Sequence, residues 1–149
     1  MLQELLTTTL WLQVLAMISL TFVVWVYMYI RRLSYIMTHH VDYAKLGKSS
    51  ALVELMPEEV SYPSDNLKNL FELPVLFYVI SVMAIQSGLV DEVLSIAAWA
   101  YVCLRGIHSL IHCTVNNVHL RFTFYIFSSL VLWFMVVHVA VVMLSAPLL

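Results

Sequence analysis

Four stretches of this chain, at about 5–30, 66–86, 92–113 and 122–144, are long and apolar enough to cross a hydrocarbon core, a crossing that takes about 20 helical residues. In that solvent no backbone N–H or C=O can turn to water, so a crossing segment must satisfy its own hydrogen bonds as a helix or close into a barrel. Runs of this length read as helices, because a membrane strand needs only about 10 residues. Composition agrees, since 62% of the 149 residues are apolar and 11% are charged, against about 25% charged in soluble domains. The expectation is an all-α, integral membrane four-helix bundle formed by a single domain over residues 1–149. The 92–113 run can extend a little further. Short connections on either side of it make its neighbours antiparallel.

Residues before Leu5 carry no Lys or Arg, and the first run is longer than the apolar core of a secretory signal, so the first span is expected to be retained. Arg31, Arg32, Lys45 and Lys48 follow it, Lys68 opens the second span and Arg121 precedes the fourth, whereas the 87–91 connection and both termini have no basic residue. The positive-inside rule then puts the first and third connections in the cytoplasm and both termini outside. The first connection, about 31–65, is the long one. It holds His39, His40, Gly47, Ser49 and Ser50; Pro63 is expected to end any preceding structure, with Ser64 or Asp65 capping the second span. Cys103 and Cys113 sit on the third span and imply no disulfide framework. No nucleic-acid partner is expected.

Within the apolar runs stand residues that are expensive to place in lipid, at about 3 kcal/mol for an ionised group at a helix centre. Asn69 and Glu72 share a face of the second span, with Pro74 just beyond them breaking a backbone bond and kinking the helix. On the third span Arg105, His108, His112, Asn116 and His119 recur at spacings of three, four, four and three, which makes one polar stripe on a continuous helix. The two spans run antiparallel, so Glu72 lies near the depth of His108 to His112. Arg105 can reach it, and a buried Arg–Glu pair is expected. One such pair suffices to lock helices together. A carboxylate, two arginines and several histidines at one end of a small bundle instead read as a pocket for a polar, charged ligand beside lipid. A metal reading has His108 and His112 as a helical two-histidine pair, with His39, His40 and Glu72 available to complete it. Arg105 one turn away is unfavourable beside a metal ion, so no metal is expected. Ion conduction is less favoured still, because no span is polar along its whole length.

The ordered set Asn69-Leu-Phe-Glu72-Leu-Pro74, Arg105-Gly-Ile-His108-Ser-Leu-Ile-His112 with Asn116, and Arg121-Phe122 resembles the MAPEG family, the membrane-associated proteins in eicosanoid and glutathione metabolism, and its bacterial branch most of all. The resemblance implies a homotrimer in the inner (plasma) membrane of a bacterium, with glutathione bound between neighbouring subunits near the cytoplasmic face. It implies Arg121 as the catalytic cation that supports the glutathione thiolate. Asn69 and Glu72 match the family's N-x-x-E, Arg105 and His108 match polar positions of the third span, and Tyr125 falls where an aromatic hydroxyl lines the pocket. The chain differs from the family pattern at two places. Asp65 stands where catalytic members have an arginine for a ligand carboxylate, leaving Lys68 as the nearest cation, and His112 stands where the eicosanoid-synthase branch has tyrosine. Two functions follow from the resemblance. One is a glutathione-dependent transferase or peroxidase acting on lipophilic substrates; the other is a non-catalytic, lipid-binding or scaffold relative that keeps the fold.

Overall fold

The structure, a computed structural model, describes residues 1–41 and 56–145. It is all-helical over these residues: α1 (Leu2–Thr38), α2 (Glu58–Leu70), α3 (Leu73–Gln86), α4 (Glu92–Cys113) and α5 (Val118–Ser145). Helices α2 and α3 together make one crossing, giving four segments long and apolar enough to span a membrane. The chain is an integral membrane four-helix bundle. Its core is narrow, built from Leu10, Met17, Phe77, Leu94, Tyr101 and Leu132, while Trp11, Phe22, Trp25, Ile96, Trp133 and Phe134 face outward. That inversion suits lipid, where outward apolar surface carries no hydration cost.

Helix α4 shows why these segments pack where they do. Asp91 caps its start by accepting from the Leu94 N–H at 2.7 Å, satisfying one of the orphan donors of a first turn. Small side chains at Ser95, Ala97 and Ala98 are buried against neighbouring helices, which lets backbones approach closely as membrane packing favours. Gln13 of α1 uses that approach, donating to the Ser95 carbonyl at 2.7 Å. One level further in, Tyr101 stacks on Phe77 of α3 with centroids 4.8 Å apart.

Two helices outrun the expected spans. Helix α1 continues from about residue 30 to Thr38, and the second crossing begins at Glu58 rather than near 66, so the 31–65 connection shrinks from both sides. Arg31 and Arg32 do not end α1. They reach sideways to α2, Arg31 Nη2 donating to the Glu59 carbonyl at 3.2 Å and Arg32 Nη2 to Ser64 Oγ at 2.8 Å. Pro57 is the N-cap of α2, with Glu58 and Glu59 in the first turn, where the helix dipole favours carboxylates. Pro63, expected to stop preceding structure, lies inside the helix, and Ser64 and Asp65 are not its caps. The N–H that Pro63 lacks would have bonded to the carbonyl four residues back. That carbonyl belongs to Glu59, and Arg31 supplies the donor instead. Ile36 of α1 with Met56 and Val60 forms a small second apolar cluster beside these bonds. Lys45, Gly47, Lys48, Ser49 and Ser50 lie outside the described residues.

The kink predicted at Pro74 is a two-residue break at Phe71 and Glu72, with Pro74 in the first turn of the helix that resumes. The turn is closed by short bonds, Phe71 N–H to the Lys68 carbonyl at 3.0 Å and Glu72 N–H to the Asn69 carbonyl at 3.4 Å. Since the ladder no longer runs from residue 69 to residue 73, the Asn69 carbonyl is open to a side-chain donor from another helix.

Candidate functional site

That donor is Arg105. Its side chain is fully buried, and Nη2 donates to the Asn69 carbonyl at 2.8 Å. The guanidinium lies over the Tyr125 ring at 5.8 Å, while Nε and Nη1 meet no acceptor among the described residues. The expected pair with Glu72 is absent. The helix break turns the Glu72 side chain out to the exposed surface, so the depth argument, which assumed one continuous helix, fails at that residue.

The polar stripe of α4 is real as far as His112 and stops there. Arg105, His108, Ser109 and His112 are buried on one face, but the helix ends at Cys113 and Asn116 takes a left-handed conformation, φ 47°. Asparagine tolerates that region better than most residues, and its N–H closes the turn on the Ile111 carbonyl at 2.8 Å. His119, expected to continue the stripe, is exposed on the first turn of α5. Helix α5 also starts earlier than expected, because Asn117 Oδ1 accepts from the Leu120 N–H at 3.1 Å and caps it at Val118. Arg121 therefore sits inside the first turns of α5 rather than ahead of the span.

This tight reversal brings Arg121 back over the end of α4. One nitrogen, Nη1, contacts both Asn116 Oδ1 at 2.7 Å and His112 Nε2 at 2.9 Å. The Arg121 carbonyl accepts from His108 Nδ1 at 2.9 Å. Both histidines of α4 thus meet the same residue, one through its backbone and one through its guanidinium. No carboxylate forms an ion pair with Arg121 among the described residues.

A cavity of about 220 Å³ opens beside this constellation, lined by Asn69, His108, Val118, Arg121, Phe122 and Tyr125. Of the candidate site residues, Asn69, His108, Arg121 and Tyr125 meet on its wall. Arg105 and His112 lie behind that wall, supporting Tyr125 and Arg121 respectively. Glu72 and Lys68 are not part of it. Lys68 is on the outer surface of α2, paired with Asp65 at 2.8 Å, and Glu72 is exposed at the break. Val118 and Phe122 complete the wall as apolar members. Their one-turn spacing from each other on α5 was readable, but their role required knowing that α5 begins at Val118. His108 Nδ1 and His112 Nε2 are both engaged by Arg121, and the described residues contain no group of three candidate metal ligands.

A half-buried cation at the mouth of a cavity, held by neutral groups and close to a helix N-terminus, suits an anion. The adjoining phenol and apolar walls suit a ligand that is only partly polar. The sequence model of the MAPEG family matches residues 9–141, most of the chain. No curated protein and no solved structure matches it.

Proposed function

Because the chain belongs to the MAPEG family, we propose that it is a membrane-bound glutathione-dependent transferase or peroxidase that acts on lipophilic electrophiles or hydroperoxides. The observation that carries this reading is Arg121: a guanidinium on the wall of a cavity, fixed by His112 and Asn116, with no carboxylate paired to it among the described residues. Glutathione, when bound, supplies a thiol whose sulfur is the nucleophile. The chain's own residues account for the rest. Arg121 offers a fixed positive charge and free N–H donors where sulfur must carry negative charge, which favours loss of the thiol proton to solvent. Tyr125 and Asn69 line the same cavity, Asn69 with its Nδ2 donating to the Asp65 carbonyl at 3.2 Å. Val118 and Phe122 keep the wall beside the guanidinium apolar, which strengthens its electrostatic effect and receives a substrate arriving from the bilayer.

The donor set fits a thiolate, and the cavity of about 220 Å³ is smaller than the about 300 Å³ at which small-molecule sites usually begin. One protomer thus holds the reactive end of a tripeptide and leaves the remainder to be covered. A neighbouring subunit of a homotrimer provides that cover in this proposal. In this proposal the protein sits in the inner membrane of a bacterium with both termini outside, as its basic residues favour, which turns Arg121 toward the cytoplasm and its glutathione.

A second reading is favoured by a different observation. Lys68 is engaged by Asp65, so the cation nearest the pocket on α2 is not free for a ligand carboxylate. A relative that binds lipid without turning over thiol would look like this. Calorimetric titration of glutathione into the detergent-solubilised protein and its Arg121→Ala variant separates the two. Saturable binding that Arg121→Ala removes supports the transferase, and absence of binding in the parent refutes it in favour of the lipid-binding relative.

A further inference from the structure

Arg121 carries only donors, since a guanidinium has no acceptor atom. The contact of its Nη1 with His112 Nε2 at 2.9 Å is therefore a hydrogen bond only if Nε2 offers a lone pair. His112 is then neutral and carries its proton on Nδ1. The same reasoning fixes His108, whose Nδ1 faces the Arg121 carbonyl and must donate. His108 therefore carries a proton on Nδ1, and His112 is the neutral Nδ1–H tautomer, while His108 Nε2 and His112 Nδ1 meet no partner among the described residues; both rings are nearly sealed, each 2% exposed.

We propose that His112 and Asn116 are positioning residues for Arg121, and that His112 does so as a neutral Nδ1–H imidazole rather than as a ligand contact. The assignment rests on the transferase reading for its catalytic meaning, though its geometry stands without it. Nη1 has two hydrogens, and the two acceptors, His112 Nε2 and Asn116 Oδ1, account for both. What remains for a ligand is Nη2 and Nε, which make no hydrogen bond of their own among the described residues, on a side chain that lines the cavity. An unrestrained arginine would swing among rotamers and lose much of its value to a developing anion, because preorganised donors act without reorganisation at the moment of reaction. The clamp is built from neutral acceptors. A carboxylate in either place would hold Arg121 as firmly but would cancel the charge that the site uses.

The features that permit this are local. Asn116 can serve because its left-handed backbone, φ 47°, turns the chain and points its carboxamide back toward α5. His112 can serve because it is the last stripe residue before α4 ends. Tyrosine, which other family members carry where His112 stands, would present a hydroxyl that can donate as well as accept. The imidazole presents a lone pair alone.

The test uses the full-length protein in detergent and two independent measurements. First, ¹⁵N spectra of histidine-labelled protein without added ligand report the tautomer. His108 and His112 should both show Nδ1–H, and a protonated or Nε2–H form at His112 overturns the assignment. Second, ultraviolet absorbance reports the thiolate fraction of bound glutathione, alongside the affinity for S-methylglutathione, which has no ionisable thiol. His112→Leu and Asn116→Gly, the latter keeping the left-handed backbone, should each lower the thiolate fraction about tenfold while affinity for S-methylglutathione changes less than about threefold. His112→Gln restores an acceptor and should recover most of the thiolate. Equal loss of both readouts, or a wild-type thiolate fraction in His112→Leu, overturns the positioning role. Absence of glutathione binding in the parent, with the Nδ1–H tautomer present, refutes the transferase reading while supporting the clamp.

Discussion

Replacing Arg105 with methionine should leave the protein as stable as before or more so, although it deletes the largest fully buried side chain. The interactions lost are one charge-assisted hydrogen bond to the Asn69 carbonyl, about 1.5–3 kcal/mol, and the contact with the Tyr125 ring, about 0.5–2 kcal/mol. Together these make about 2–5 kcal/mol. Against them stand two buried nitrogens without acceptors among the described residues, Nε and Nη1, each costing about 1–3 kcal/mol, and the further penalty of an ion taken out of water with no ion-pair partner among the described residues. The relief equals or exceeds the loss, and methionine is flexible enough to fill much of the space. Unfolding in mixed detergent micelles, followed by tryptophan fluorescence, should place Arg105→Met within about 1 kcal/mol of the parent or above it. A loss greater than about 3 kcal/mol would refute the reasoning, because that is the signature of a buried charge with satisfied partners.

Three other outcomes can be checked with the same material. Arg121→Ala should lower turnover with a lipophilic electrophile by about a hundredfold or more, as loss of a donor at a developing anion does, with little change in unfolding midpoint, measured by conjugation assay and thermal melt. Asp65→Arg breaks the pair with Lys68 and adds a cation on the exposed surface of α2; glutathione should bind about thirtyfold more tightly by calorimetry, the equivalent of one charge-assisted bond of about 2 kcal/mol. Asp91→Ala loses both the cap on Leu94 and the contact with His138 at 2.8 Å and should cost about 1–2 kcal/mol, whereas Asp91→Ser keeps the cap and should cost about half as much in the same unfolding assay.

Hydropathy located the four crossings because lipid imposes one requirement, a length of apolar helix, that is local in sequence. It could not locate helix ends. Arg31 and Arg32 are where the hydrocarbon would end, but a helix can continue into water, and this one does because both arginines find acceptors on α2. Pro63 misled for a related reason: its rule concerns the missing N–H, and the orphaned Glu59 carbonyl is rescued by a residue 28 positions earlier in the chain. Of the cavity wall the sequence named Asn69, His108, Arg121 and Tyr125 but not Val118 and Phe122, and it did not give the arrangement. Periodicity placed Arg105, His108 and His112 on one face correctly, since α4 is unbroken there. It misplaced Glu72 and His119, because Glu72 lies in the two-residue break ahead of Pro74 and His119 lies past the left-handed Asn116. Which residues form the wall and which stand behind it depended on the reversal between α4 and α5, and no spacing rule encodes that.

The unequal lengths of the helices have a consequence for the membrane itself. Helix α1, with 37 residues, is about 55 Å long and can slide or tilt without exposing an end. Helix α4, with 22 residues, is about 33 Å long, close to the hydrocarbon thickness of about 30 Å. It is closed at one end by the Asp91 cap and at the other by the Asn116 turn. It is the ruler of the bundle: lipids must match it, because it cannot stretch to match them. Mismatch costs a fraction of a kcal/mol per Å, enough to shift how deep Arg121 rides relative to the headgroups. A thicker bilayer draws the guanidinium below the level a water-soluble thiol reaches, and a thinner one lifts the apolar wall away from substrates dissolved in lipid. Activity reconstituted in lipids of graded acyl length should therefore pass through a maximum where the hydrocarbon equals α4.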